Sequence, residues 1–184
     1  RSAEFMSNRV YIRQTTGQLY ARRFVMTCPS EQLPAGRPVK KSPAWSAMNH
    51  AGAQWGCSWG LEIPLMFAGT NFSETPTLKR SNAFDVVAEE CAAVRERVGL
   101  LDISGFSRYE VTGPNAEAWL GRVLAGRLPP PGRARLAPML APSGRLKGDL
   151  TVLNWGDQTW WIMGSYYLRN WHMRWFHDHR ATGV

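Results

Sequence analysis

No stretch of this 184-residue chain approaches the roughly 20 consecutive apolar residues that a membrane-spanning helix needs, and the longest aromatic run, TWWIMGSYYL, is broken by Gly164 and Ser165. The first 25 residues lack the apolar segment of a secretory leader, so none is expected. Cysteine is scarce. Cys28, Cys57 and Cys91 are widely spaced and form no CxxC pair, so neither a zinc knuckle nor a dithiol redox couple is encoded locally. Free thiols in a reducing, cytoplasmic compartment are expected, with Cys91 buried as a small hydrophobe. Neither GxGxxG nor GxxxxGK[ST] occurs, which removes the common nucleotide-phosphate loops. Ser104 and Ser143 stand in no GxSxG elbow and have no base beside them, so a serine hydrolase gains no support.

What is present is a chain able to pack: 44% hydrophobic residues, 11% aromatic and nine tryptophans. Acidic residues are few in the first third. Residues 1–61 hold eight Lys or Arg against Glu4 and Glu31, a net of +6, whereas residues 62–184 hold 14 against 12, a net of +2. Such an asymmetry can mark a nucleic-acid arm. The basic residues are scattered, however, and no aromatic-basic RNA signature or finger spacing accompanies them, so nucleic-acid binding is not expected. An acidic partner surface would suit the arm equally well.

Residues 1–5, RSAEF, precede Met6 and read as a cloning remnant. From residue 6 to about 80, prolines at 29, 34, 38, 43, 64 and 76 interrupt regular elements, and only Ser46 to Gln54 reads as a short helix. This predicts an irregular Pro/Trp-rich connector or arm, with Trp45, Trp55 and Trp59 requiring burial. Residues 81–184 read as the folded domain. Asn82 starts a helix to about Val98 with a stripe of Val87, Cys91, Val94 and Val98. FSRYEV (106–111) alternates as a strand, and Pro114-Asn115 opens a helix through Trp119, Leu120, Val123 and Leu124. Arg133–Leu140 and Leu146–Asn154 form a hairpin around APSGR, TWWIM is a third strand of that series, and a helix from Tyr167 to about His179 closes with Leu168, Trp171 and Trp175 on one face. The order after residue 100 is β-α-β-β-β-α, an α+β fold: an antiparallel sheet with helices packed on one face.

Along Leu146–Asn154 the alternation puts Leu146, Leu150 and Val152 on one face and Lys147, Asp149, Thr151 and Leu153 on the other. A carboxylate in an apolar strand must be solvated, paired or used. A surface pair with Lys147 is one reading of Asp149; a carboxylate holding an amine-bearing ligand is the other. His172 and His179 are seven apart, too far along a helix to share one ion, so His172, His177 and His179 read as a solvated helix end and no metal site is expected. His50 is isolated.

Several stretches together, VAEECAAVRERVGLLDISGFSRYEVTGPNAEAWL (87–120) and RLAPMLAPSGRLKGDLTV (135–152), resemble the folate-binding aminomethyltransferase family of the glycine cleavage T-protein. ARRFVMTCPSEQLPAGRPVKKSPAW (21–45) and GAQWGCSWGLEIPLMFA (52–68) resemble the connector between the flavin and folate domains of dimethylglycine and sarcosine dehydrogenases. The resemblance implies that residues 6–80 are that connector and 81–184 part of a tetrahydrofolate-binding domain, the site of one-carbon transfer after oxidative N-demethylation. It implies Asp149 as the carboxylate facing the folate and its reacting nitrogen. Phe106 stands where the T-protein has a methionine near the folate, and Leu136 where a tyrosine is frequent; Thr151 and Leu153 share the face of Asp149 as pocket wall. No FAD site is expected, because the family's flavin domain has no counterpart in the chain. The folate domain of the family continues past the equivalent of Val184, so a fragment is expected, with self-association or a completing chain covering its apolar surface. A non-catalytic interaction module of the same fold, and a fortuitous hydrolase at Asp149 or the histidines, are the rival readings.

Overall fold

The structure, a computed structural model, describes residues 6–184; the reading of residues 1–5 lies outside them. The chain divides into two compact units, Arg1–Asp102 and Ile103–Val184.

The first unit contains more regular structure than its prolines suggest. Helix α1 (Arg9–Ala21) starts where the Asn8 side chain accepts the Tyr11 N–H. The proline-rich segment that follows cannot supply its own ladder. Gln18 and Gln14 of α1 instead accept the N–H groups of Ala35 and Gly36. After the short helix α2 (Trp45–His50), strands β1 (Ala53–Ser58) and β2 (Leu61–Phe67) form an antiparallel hairpin. Trp59 and Gly60 make its two-residue turn, both with positive φ (51° and 87°), the geometry whose twist matches a hairpin. Trp45 and Trp55 stack on each other with centroids 5.3 Å apart, whereas Trp59, carried out on the turn, is exposed and corrects the expectation that it is buried. The expectation of a single short helix before residue 80 is corrected as well. Side chains satisfy the backbone where proline removes donors, and Pro64 sits opposite Trp55 at a register irregularity, where a missing N–H is tolerated.

Of the two charged pairs among the described residues of this unit, Arg22–Glu31 and Arg37–Glu62, the second is the more deeply buried. The Arg37 guanidinium grips Glu62 through both nitrogens (3.0 and 2.7 Å) and also donates to the Trp55 carbonyl at 3.0 Å. The carboxylate it holds is almost wholly buried, and that pairing pushes the Arg37 pKa above its ordinary value. Helix α3 (Ala83–Glu96) buries only Ala83. Cys91 is exposed, as are Val87, Val94 and Val98 on the same stripe, which overturns the expected burial of Cys91. The helix presents Glu90 to the Phe67 N–H of β2, a polar tie to the hairpin. A two-stranded hairpin offers too little surface to cover a four-turn stripe.

The second unit is the anticipated α+β layer. Its strands are β3 (Phe106–Thr112), β4 (Arg133–Leu140), β5 (Leu146–Gly156) and β6 (Thr159–Ser165), antiparallel in the order β3-β6-β5-β4. Helix α4 (Ala116–Val123) follows β3; a 3₁₀ turn (Tyr166–Leu168) and helix α5 (Arg169–Asp178) follow β6. One sheet face carries Tyr109, Val111, Ala137, Met139, Leu150, Val152, Trp160 and Ile162, and α4 lays Trp119, Leu120 and Val123 into the same cluster. Each fully buried aliphatic chain of this kind contributes about 1.5–3 kcal/mol. The α5 residues buried in the core are His172 and Phe176; of Leu168, Trp171 and Trp175, expected on one face, Trp175 packs against the core and the other two are half-buried. Phe176 meets Tyr109 and Trp119 edge-on at 5.2 and 5.8 Å. His172 is therefore a core residue, which corrects its reading as part of a solvated helix end.

Candidate functional site

Because α4 and α5 cover one side of the sheet, every second residue of each strand faces the opposite, open side. Register places these residues in rows. Arg108, Met163, Thr151 and Leu136 form one row across β3, β6, β5 and β4, and Glu110, Trp161, Leu153 and Ala134 form the next. On the other side of the first row, Phe106 pairs with Ser165 and Asp149 with Pro138. Continuing the β5–β6 register by two residues brings Asp149 level with Ser165. Phe106 and Asp149 then lie two strand spacings apart, about 10 Å.

All five residues picked from the sequence share this open face. Thr151 and Leu136 are direct cross-strand partners, Leu153 follows two residues on, Asp149 opens the set, and Phe106 lies on the far edge strand. Leu136 and Phe106 are exposed, at 70% and 53%, although both are apolar. Asp149 is exposed too. The surface pair with Lys147 does not form: the Lys147 ammonium lies over the Trp171 and Trp175 rings, 4.8 and 5.4 Å from their centroids. Among the described residues Asp149 has neither a side-chain hydrogen-bond nor an ion-pair partner.

The structure adds members that strand alternation alone could not place: Trp161, Met163, Glu110 and Arg108. Trp161 donates its ring N–H to Glu110 at 3.1 Å and meets Trp155 edge-on at 5.3 Å, so the floor is aromatic and ordered. The TWWIM alternation marked Trp161 and Met163 as one face, but not which face.

Directly beneath Asp149, on the covered side, Gly148 and Gly164 make room for the His172 imidazole. A Cβ at Gly148 would stand 3.1 Å from Nε2, and one at Gly164 2.9 Å from Cε1. The Tyr109 hydroxyl contacts Nδ1 at 3.1 Å, and Nε2 has no partner. Burial without an opposite charge drives the His172 pKa below its ordinary value, and burial raises that of Tyr109.

A two-layer α+β domain with one covered and one open, partly apolar sheet face defines the class. The chain matches the GCVT N-terminal domain over residues 44–184 and the FAD dependent oxidoreductase central domain over residues 1–42. It belongs to the family of the GCVT N-terminal domain. Among relatives, it is 28% identical over 77% of its length to dimethylglycine dehydrogenase, mitochondrial, of Mus musculus, spanning 17% of that protein. It is 35% identical over 63% of its length to a 4-methylaminobutanoate oxidase (formaldehyde-forming) of Paenarthrobacter nicotinovorans, spanning 14% of it. The glycine cleavage system aminomethyltransferase T of Bartonella henselae has the same fold, with a TM-score of 0.61 at 20% identity over 78% of this chain and 36% of that one. The chain thus spans well under half of each.

Proposed function

We propose that the open sheet face binds tetrahydrofolate and that the chain supplies the folate-facing layer of an aminomethyltransferase-like domain in a dimethylglycine or sarcosine dehydrogenase-type enzyme. The observation that carries this reading is the unpaired Asp149 carboxylate on an open face floored by Leu136, Leu153, Met163 and Trp161. The donor set fits such a ligand: flat apolar area for a fused ring and one lone acceptor for its N–H groups. Bound folate would supply a secondary amine that accepts a one-carbon unit.

The side chains of this unit would do the positioning. Asp149 accepts an N–H from the ring system, orients the nucleophilic nitrogen and stabilises the positive charge that develops on it. Leu136 and Thr151, opposite each other on β4 and β5, wall one side, and Phe106 stands at the far edge. The bare cost of an exposed carboxylate without a partner is small, which leaves Asp149 ready to meet a cation or donor.

Calorimetric titration of the chain with tetrahydrofolate tests the reading, with Asp149→Asn and Asp149→Ala in parallel. Saturable binding that weakens about tenfold or more in both variants is expected, the loss of a charge-assisted hydrogen bond. Absence of saturable binding by the unaltered chain would sink it and favour the interaction-module reading.

A further inference from the structure

Asp149 stands where its own sheet holds it least. Pro138, opposite it on β4, has no N–H to give, and the Pro138 carbonyl accepts the Ala125 N–H at 2.8 Å instead. The β4–β5 register shifts just beyond Gly148, between Met139 and Leu140, and the β5–β6 pairing begins only at Thr151. A group that must meet a ligand within about 0.5 Å of its productive place needs firmer support than this.

That support comes from the covered side. Trp171 and His172, consecutive on α5, reach the two residues that precede Asp149. The Trp171 ring N–H donates to the Lys147 carbonyl at 3.0 Å, and the Lys147 ammonium lies over the same ring. The His172 imidazole fills the space left by Gly148 and Gly164, the residues just before Asp149 and just before Ser165, which is level with it. From β3, the Tyr109 hydroxyl holds the imidazole at Nδ1.

We infer that Trp171 and His172 are positioning residues for Asp149: α5 clamps β5 at Lys147 and Gly148 and thereby sets where the carboxylate stands on the open face. The inference rests on the folate reading for the identity of the ligand, whereas the clamp itself does not. Fixing a binding group in advance removes the entropy cost of ordering it when the ligand arrives. Loosening the clamp therefore weakens binding while every side chain on the open face is kept.

The test compares three variants of the whole chain. Trp171→Phe keeps a ring beside Lys147 and removes its N–H. His172→Asn empties the space under the glycines. Phe176→Leu is a core change one turn along the same helix, against Tyr109 and Trp119. Amide hydrogen exchange, read by NMR, should quicken at residues 147–151 in the first two variants while β3 and α4 exchange as in the native chain; in Phe176→Leu it should quicken across the core. Tetrahydrofolate titration should show binding about fivefold weaker for Trp171→Phe, the equivalent of one lost hydrogen bond. His172→Asn should lose at least as much, and folded Phe176→Leu should bind as the native chain does. If His172→Asn fails to fold, Trp171→Phe decides alone. Exchange at 147–151 that stays at the native rate, or that rises no more than in Phe176→Leu, would overturn the clamp. So would native affinity in both clamp variants. A native chain that binds no tetrahydrofolate would sink the folate reading instead, and exchange at 147–151 would still decide whether α5 positions Asp149.

Discussion

His172 is buried to 1% exposure with a single polar neighbour, so its protonation reports directly on the fold. The Tyr109 hydroxyl has one proton to give. If it goes to the Arg169 carbonyl 3.4 Å away, Nδ1 must donate to Tyr109, and Nε2 is left as an acceptor without a donor. If it goes to Nδ1, Nε2 carries an N–H with nothing to receive it. Either neutral form is tolerated; the imidazolium would bring two donors and a charge into a core with no acid to meet them. The folded-state pKa lies below the ordinary 6.5, so the unfolded chain takes up the proton first. Stability contributed by neutral His172 is complete above about pH 6.5 and declines as pH falls through and below that value. Urea unfolding of the native chain and of His172→Leu between pH 5 and 8 checks it. The difference between the two should narrow toward pH 5, and a constant difference would mean that His172 is not buried as described.

The glycines under that ring argue at the same scale. A Cβ at Gly164 would come within 2.6 Å of a Leu150 methyl as well as the imidazole, while Gly148 offers 3.1 Å or more. Leu150 and His172 are both locked in the core, so Gly164→Ala should cost about 1–3 kcal/mol, and Gly148→Ala less. Denaturation midpoints of the two variants measure this, and the reverse order would contradict the packing.

Among elements, the Arg37–Glu62 pair ties the segment before α2 to the β1–β2 hairpin. Removing one partner strands the other charge, so Arg37→Met alone should destabilise by about 3–5 kcal/mol. Combining Arg37→Met with Glu62→Leu should recover most of that loss, and thermal unfolding of single and double variants decides it. The pair was invisible in the sequence because the partners are 25 residues apart and only the hairpin register aligns them. The hairpin itself left one signal, Trp59-Gly60, but an exposed tryptophan at a positive-φ position is an uncommon way to write that turn. In the second unit the strands were legible because alternation and Gly/Pro breaks agree at every boundary. The face of α5 was legible only in part: Trp175 packs on the core as its spacing suggested, but the residues buried there, His172 and Phe176, each follow one of the expected tryptophans, and a histidine gives no apolar signal. The five residues chosen for the open face could be placed together only through the resemblance; periodicity alone put Asp149, Thr151 and Leu153 on one side and said nothing of Phe106 or Leu136.

At the scale of the second unit as a whole, the four-stranded sheet spends its two helices on one face. The other keeps Phe106, Leu136 and Trp155 more than half exposed, and among the described residues no further layer of this unit lies over it. An apolar sheet surface in water favours association, with the driving force set by the area removed from solvent. Concentration-dependent self-association through this face is therefore expected, and a charge placed in its centre should oppose it. Met163 is the suitable position: it sits mid-row between Arg108 and Thr151, and its side chain is outside the core, so Met163→Lys should change stability by less than about 1 kcal/mol. Ile162→Lys, one residue away on the covered face, should prevent folding. Sedimentation velocity over a wide concentration range reads the outcome. The native chain should shift to faster species as concentration rises while Met163→Lys stays at the monomer. A native chain that remains monomeric throughout would show that this face tolerates water, and a variant that associates as strongly as the native chain would place the contact elsewhere.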